Sequence, residues 1–160
     1  RRNRIIEPLN AAIVGYIQNI NAVNQSGATA AAMTHPIRAL WHFAEIADLG
    51  LAVAMRHDAL RSLPDAQRRA IAGYATLVAG EIDRARRAFA DPSVAPIDRE
   101  TTEPLYQRTK NGVLIAAAGG TMSAAQAEIA LETITDMKTA VRSLDRAGKR
   151  MAAMAQFTNG

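Results

Sequence analysis

The stretch THPIRALWHFAEIADLGLAVAMRHDAL, residues 34–60, decides the fold class. Thr34 is a good helix N-cap, and Pro36 falls in the first turn, where a missing N–H costs nothing. Ile37, Leu40, Trp41, Ala44, Ala47 and Leu51 then recur at helical spacing along one face. The pattern continues through Val53 and Met55, so it predicts a helix of roughly 40 Å at 1.5 Å per residue. Leu40 and Trp41 are expected in the core.

Working outward, residues 7–24 carry a second stripe of Leu9, Ile13, Tyr16, Ile17 and Ile20, with Pro8 tolerated in a first turn. Ser26-Gly27 ends that helix, and an Ala-rich connector is expected over residues 28–33. On the other side, Ser62-Leu63-Pro64-Asp65 turns the chain into a third helix over residues 65–90. Its stripe is Ile71, Ala75, Val78, Ile82, Ala85 and Phe89. Residues 91–96, Asp-Pro-Ser-Val-Ala-Pro, are the strongest breaker and separate two halves. They are expected to be the only long irregular connection. A fourth helix follows over about 102–118, with Pro104 early and Leu105, Val113 and Leu114 apolar. Thr101-Thr102 reads as its cap. Gly119-Gly120 is a C-cap signal, and Ser123 with Gln126 makes a capping box. The fifth helix runs from there to about 157 through Leu131, Ile134, Met137, Val141, Leu144, Ala147, Met151 and Met154. No stretch reads as a strand. The expectation is an all-α antiparallel bundle of about five long helices. It forms one domain over 1–160, with a first helical unit at about 7–90 and a second at about 102–157.

Composition agrees. In 160 residues the apolar share is 49% and the aromatic share only 4%, so the core must be Ala, Leu, Ile, Val and Met. Such a core favours close helix packing over a sheet. The Met residues read as core filler before they read as a binding surface. The net charge is +4 and the pI near 10.0. The Arg residues are scattered beside acids, as in Glu81-Ile82-Asp83-Arg84, and aromatic stacking platforms are few, which argues against nucleic acid. The chain has no cysteine, so it has no disulfide, thiolate chemistry or Cys-ligated zinc. No run reaches the ~20 apolar residues of a membrane helix. The Arg1-Arg2-Asn3-Arg4 start reads equally as an exposed basic terminus or as the cytoplasmic flank of a preceding membrane span.

Candidate chemistry is sparse. Glu45 and Asp48 share a helix face three residues apart, with Trp41 and His42 close by. Glu132 and Asp136 stand four apart on the fifth helix. Facing carboxylates of this kind hold metal in some bundles. The competing reading is that these acids are solvated, or paired with Arg38, Arg56 or Arg142. The Glu-x-x-His order of ferritin-like sites is absent. His35 sits where a helix N-terminus could contact an anion. His57 and Asp58 are adjacent and are expected to point apart. Arg84, Arg86 and Arg87 complement the end of the third helix. No nucleophile has a base placed beside it by spacing.

The halves compare usefully. Ile37-Arg38-Ala39-Leu40-Trp41-His42-Phe43-Ala44-Glu45-Ile46-Ala47-Asp48-Leu49 and Met137-Lys138-Thr139-Ala140-Val141-Arg142-Ser143-Leu144-Asp145-Arg146-Ala147-Gly148-Lys149 both resemble the signature helix of PhoU-like phosphate-uptake regulators. That helix carries an acid, a variable residue, an apolar residue, a small residue and then Asp. The family repeats a three-helix unit twice, and its paired acids bind metal clusters. Here Ala44 stands at the first acid of copy one, Asp48 is kept and Glu45 is displaced by one. In copy two Asp145 is kept and Lys149 replaces the final Asp. The resemblance therefore implies the fold and a regulatory role more than it implies metal. Should metal be bound, the ligands would be drawn from Glu45, Asp48, Asp136 and Asp145.

Degenerate PhoU-like domains lie at the cytoplasmic end of sodium/phosphate cotransporter-like membrane proteins. The expectation is thus a non-enzymatic, membrane-associated regulatory domain without a cofactor, docking on the membrane-embedded part of its own transporter. Homo-oligomerisation is left open and nucleic acid is not expected. The alternatives are an extracytoplasmic ligand-sensing bundle of a membrane receptor and, last, a metal-carboxylate enzyme.

Overall fold

A computed structural model describes residues 27–90 and 99–158. Over them the chain is all-α: α1 (Gly27–Met55), α2 (His57–Arg61), α3 (Asp65–Ala90), α4 (Arg99–Ala118) and α5 (Ala124–Thr158). No strand occurs among the described residues. The expected helix over 7–24 and the breaker over 91–96 lie outside them. None of the described helices is long and apolar enough to cross a membrane.

Local chemistry sets most of the boundaries. α1 begins at Gly27, so residues 28–33 are helix and not the expected connector. The reason is propensity: Ala and Met lose little side-chain freedom in a helix, and the run contains no breaker. Thr34 is therefore no N-cap, His35 lies in no first turn, and Pro36 is inside the helix. Residues 34–60 are interrupted once, at Arg56, whose N–H bonds back only three residues to Val53 (3.2 Å) before α2 begins. α4 begins at Arg99, earlier than expected, which puts Thr102 inside the helix and buries it. At the other end of α4, Gly120 takes φ +73°, which only glycine adopts at little cost. The Thr121 N–H then donates to the Ala116 carbonyl (2.9 Å) and the Gly120 N–H to that of Ala117 (3.1 Å), a Schellman closure. The Ser123/Gln126 capping box starts α5: the Ser123 N–H donates to Gln126 Oε1 (3.0 Å) and the Gln126 N–H to Ser123 Oγ (3.2 Å).

The chain divides into two compact units. One comprises residues 45–145 and holds the main core. Four helical segments run alternately up and down in it, as their pairings show. Glu45 meets Ser143 and, just past the end of α1, Arg56 meets Glu132, so α1 and α5 are antiparallel. Tyr74 packs on Tyr106 while Gln67 reaches the Gly112 carbonyl, so α3 and α4 are antiparallel too. Glu103 meets Lys138 across the α4–α5 turn. Leu63, Ile71, Val78, Val113, Ile134 and Val141 fill the centre. The other unit joins residues 1–44 to 146–160, and in its described part Ala39 and Ala147 are buried.

Two faces differ from expectation. Trp41 is 68% exposed and Leu40 only half-buried, whereas Ala39 is buried. Two residues advance a helix by about 200°, so burying Ala39 turns Trp41 outward. On α3 the buried seam is Ile71, Tyr74, Val78, Glu81 and Ala85, with Ile82 at the exposed edge. The α5 stripe lies as expected through Ile134, Met137, Val141, Leu144 and Ala147.

Candidate functional site

The four acids named as candidate ligands divide among three settings. Asp136 is engaged by Arg56, whose Nη1 donates to Oδ2 at 2.6 Å, while Nη2 lies 3.1 Å from Glu132 Oε2. One guanidinium thus bridges two carboxylates a turn apart on α5, which suits its planar fork. The hydrogen bond to Asp136 raises the Arg56 pKa above its ordinary value despite the opposing effect of burial. Glu45 accepts a hydrogen bond from the buried Ser143 hydroxyl at 2.5 Å. Asp48 is exposed and Asp145 half-buried. Asp136 and Asp145 stand nine residues apart, two and a half turns, so they point to opposite sides of α5. Among the described residues no group of three His, Asp or Glu side chains is placed to hold a metal ion.

The remaining candidates form local contacts. His57 Nδ1 and Asp58 Oδ1 approach to 3.2 Å at the exposed start of α2, where the sequence pattern had them apart. The short helix lets adjacent side chains fold toward each other in solvent. Arg84 lies 3.5 Å from Glu81, and Arg86 and Arg87 both bind Asp83, at 2.9 and 3.1 Å. The Arg86 hydrogen bond, chiefly, lowers the Asp83 pKa.

A second polar group has no counterpart in the sequence reading. Lys138 Nζ donates to Glu103 Oε1 at 2.7 Å and sits 3.9 Å above the Tyr106 ring, an ion pair and a cation–π contact from one ammonium. Gln107 Nε2 adds a 2.8 Å bond to the same carboxylate oxygen. The Lys138 bond first and the Gln107 bond second hold Glu103 below the ordinary glutamate range. Beside it Tyr74 is fully buried, and desolvation pushes its hydroxyl far up. The Tyr74 hydroxyl, the Thr109 hydroxyl and Glu81 Oε2 are buried with no hydrogen-bond partner among the described residues. No local signal marks the Lys138–Glu103 pair, because Lys138 arrives from another helix.

The surface of the 45–145 unit carries two joined apolar depressions. The larger, about 360 Å³, lies where α1, α2 and α3 meet over Met137. The smaller, about 180 Å³, continues between α1 and α3 from Val53 toward Ile46 and Ile82. Val53, Ala75 and Met137 line both. Outside them Met55 is 78% exposed and Ile115 72%. The chain matches no protein-family model, no curated protein and no solved structure.

Proposed function

We propose that this chain is a non-enzymatic regulatory domain that works by docking one face of its helical bundle onto a partner. The observation that carries the reading is the exposed apolar pair Leu51 and Met55, one turn apart on α1. Apolar side chains grouped on a face are where partners bind. The charged groups support the same reading. Arg56, Glu132, Asp136, Glu103 and Lys138 are spent on ties between helices, which serve a scaffold and not a reacting centre.

The more specific form of the proposal rests on the PhoU-like pattern of the two signature segments. In that form the partner is the membrane-embedded part of a sodium/phosphate cotransporter-like protein, met at the cytoplasmic face. Regulation then requires that phosphate or the partner favour one packing of the bundle over another, since a ligand shifts only an equilibrium whose states it binds unequally. The test is phosphate uptake by the full-length protein with and without residues 1–160. The proposal expects uptake, or its response to phosphate supply, to change. Unaltered uptake by a deletion that still reaches the membrane contradicts it.

A further inference from the structure

The joined depressions on the 45–145 unit have a chemical polarity that the docking reading does not use. Every polar side chain lining the larger one is basic: His57, Arg61 and Arg68 stand at its edge, and no carboxylate lines it. Arg68 is held there by Asp65 at 2.5 Å and by its Nη1 donating to the Arg61 carbonyl at 3.2 Å. Asp58 neighbours His57. Arg61 makes no ion pair among the described residues and lines the depression. The walls are Val53, Leu60, Ile71 and Met137, and the smaller depression extends them past Gly50 and Ala79. The one polar side chain lining that extension is Asp136, already tied to Arg56. A cationic end thus opens into an apolar trough.

We infer that the trough is a binding site for a free single-chain aliphatic carboxylate. Its head group would bind Arg61, with Arg68 next to it, and its chain would lie over Met137 toward Ile46. Charge complementarity selects an anionic head, and the lining excludes a polar tail. The run of α1 between Val53 and Ile46 is ~10 Å long, which suits a chain on the order of ten carbons. A ligand-sized volume of about 360 Å³ is enough for most of it. This site stands independently of the transporter proposal, because it needs no membrane partner.

The test is calorimetric titration of the 160-residue chain with sodium decanoate below its micelle concentration. Octanoate and decyltrimethylammonium serve as comparisons. Saturable binding of one decanoate is expected. Octanoate should bind roughly fifteenfold more weakly, at about fourfold per methylene, and the cationic amphiphile should not bind. Arg61→Glu should weaken decanoate about tenfold or more, the loss of one charge-assisted bond. Ala72→Phe or Ala54→Phe, at exposed positions on two different walls, should abolish binding while helicity and Tm stay as in the parent. Three results overturn the inference: equal binding of the cation and the anion, no effect of either filling variant when folded, or no decanoate binding at all. If sedimentation shows a dimer that Ala72→Phe dissociates, the trough belongs to a second copy, which overturns it as well.

Discussion

At the scale of single residues, the long-range ties are what sequence could not show. Arg56 and Asp136 are eighty positions apart, and nothing local pairs them. Residue types alone leave both acid pairs either solvated or paired with Arg38, Arg56 or Arg142, and it is Arg56 that meets Glu132 and Asp136. Arg56→Met should destabilise the chain by about 1–2 kcal/mol in urea unfolding, since it leaves Asp136 half-buried and uncompensated. Lys138→Met offers a test with a pH signature. Glu103 titrates below its unfolded value of about 4.3, so its pairing stabilises fully above that pH and is lost as pH falls through the folded value. Glu103 is partly exposed, so that part is below about 1 kcal/mol. The stability gap between parent and Lys138→Met should therefore be widest above about pH 5 and narrow toward acid. A remainder from the lost Tyr106 contact should persist. Tyr74→Phe should leave stability unchanged or raise it by about 1 kcal/mol, since it deletes a buried hydroxyl with no hydrogen-bond partner among the described residues. A measured loss above that size would mean the hydroxyl has a partner.

Elements were legible where their ends are written locally. The Ser62–Asp65 turn, the glycine pair and the capping box placed α3 and the start of α5 to within a residue. These signals act through neighbouring backbone groups, so sequence holds them complete. Faces were less legible. Apolar spacing turns Trp41 inward, but orientation depends on which small residue the packing selects, and here it is Ala39. On α3 the buried seam includes a tyrosine and a glutamate that a hydrophobic pattern passes over. Gly120→Ala and Ser123→Ala test the α4–α5 junction. Each should cost about 1 kcal/mol in Tm-derived stability, one by forcing a β-carbon into positive φ and the other by losing the cap. Gly112→Ala, where an added Cβ meets open space, is the control and should not destabilise.

For the whole molecule, the all-α class followed from composition and period together. The candidate site did not. Of the acids that spacing singles out, Asp136 meets Arg56 and Glu45 meets Ser143, because identity and spacing leave open which partner arrives from another helix. The proposed function rests on the exposed Leu51 and Met55, and this docking face is the claim on which the account stands. The most direct measurement is the binding of purified residues 1–160 to the proposed partner, the membrane-embedded part of a sodium/phosphate cotransporter-like protein, in nanodiscs. The account predicts saturable binding that phosphate strengthens or weakens and that Leu51→Lys with Met55→Lys removes while helicity is kept. No binding at any phosphate concentration, or binding indifferent to that pair, would contradict it.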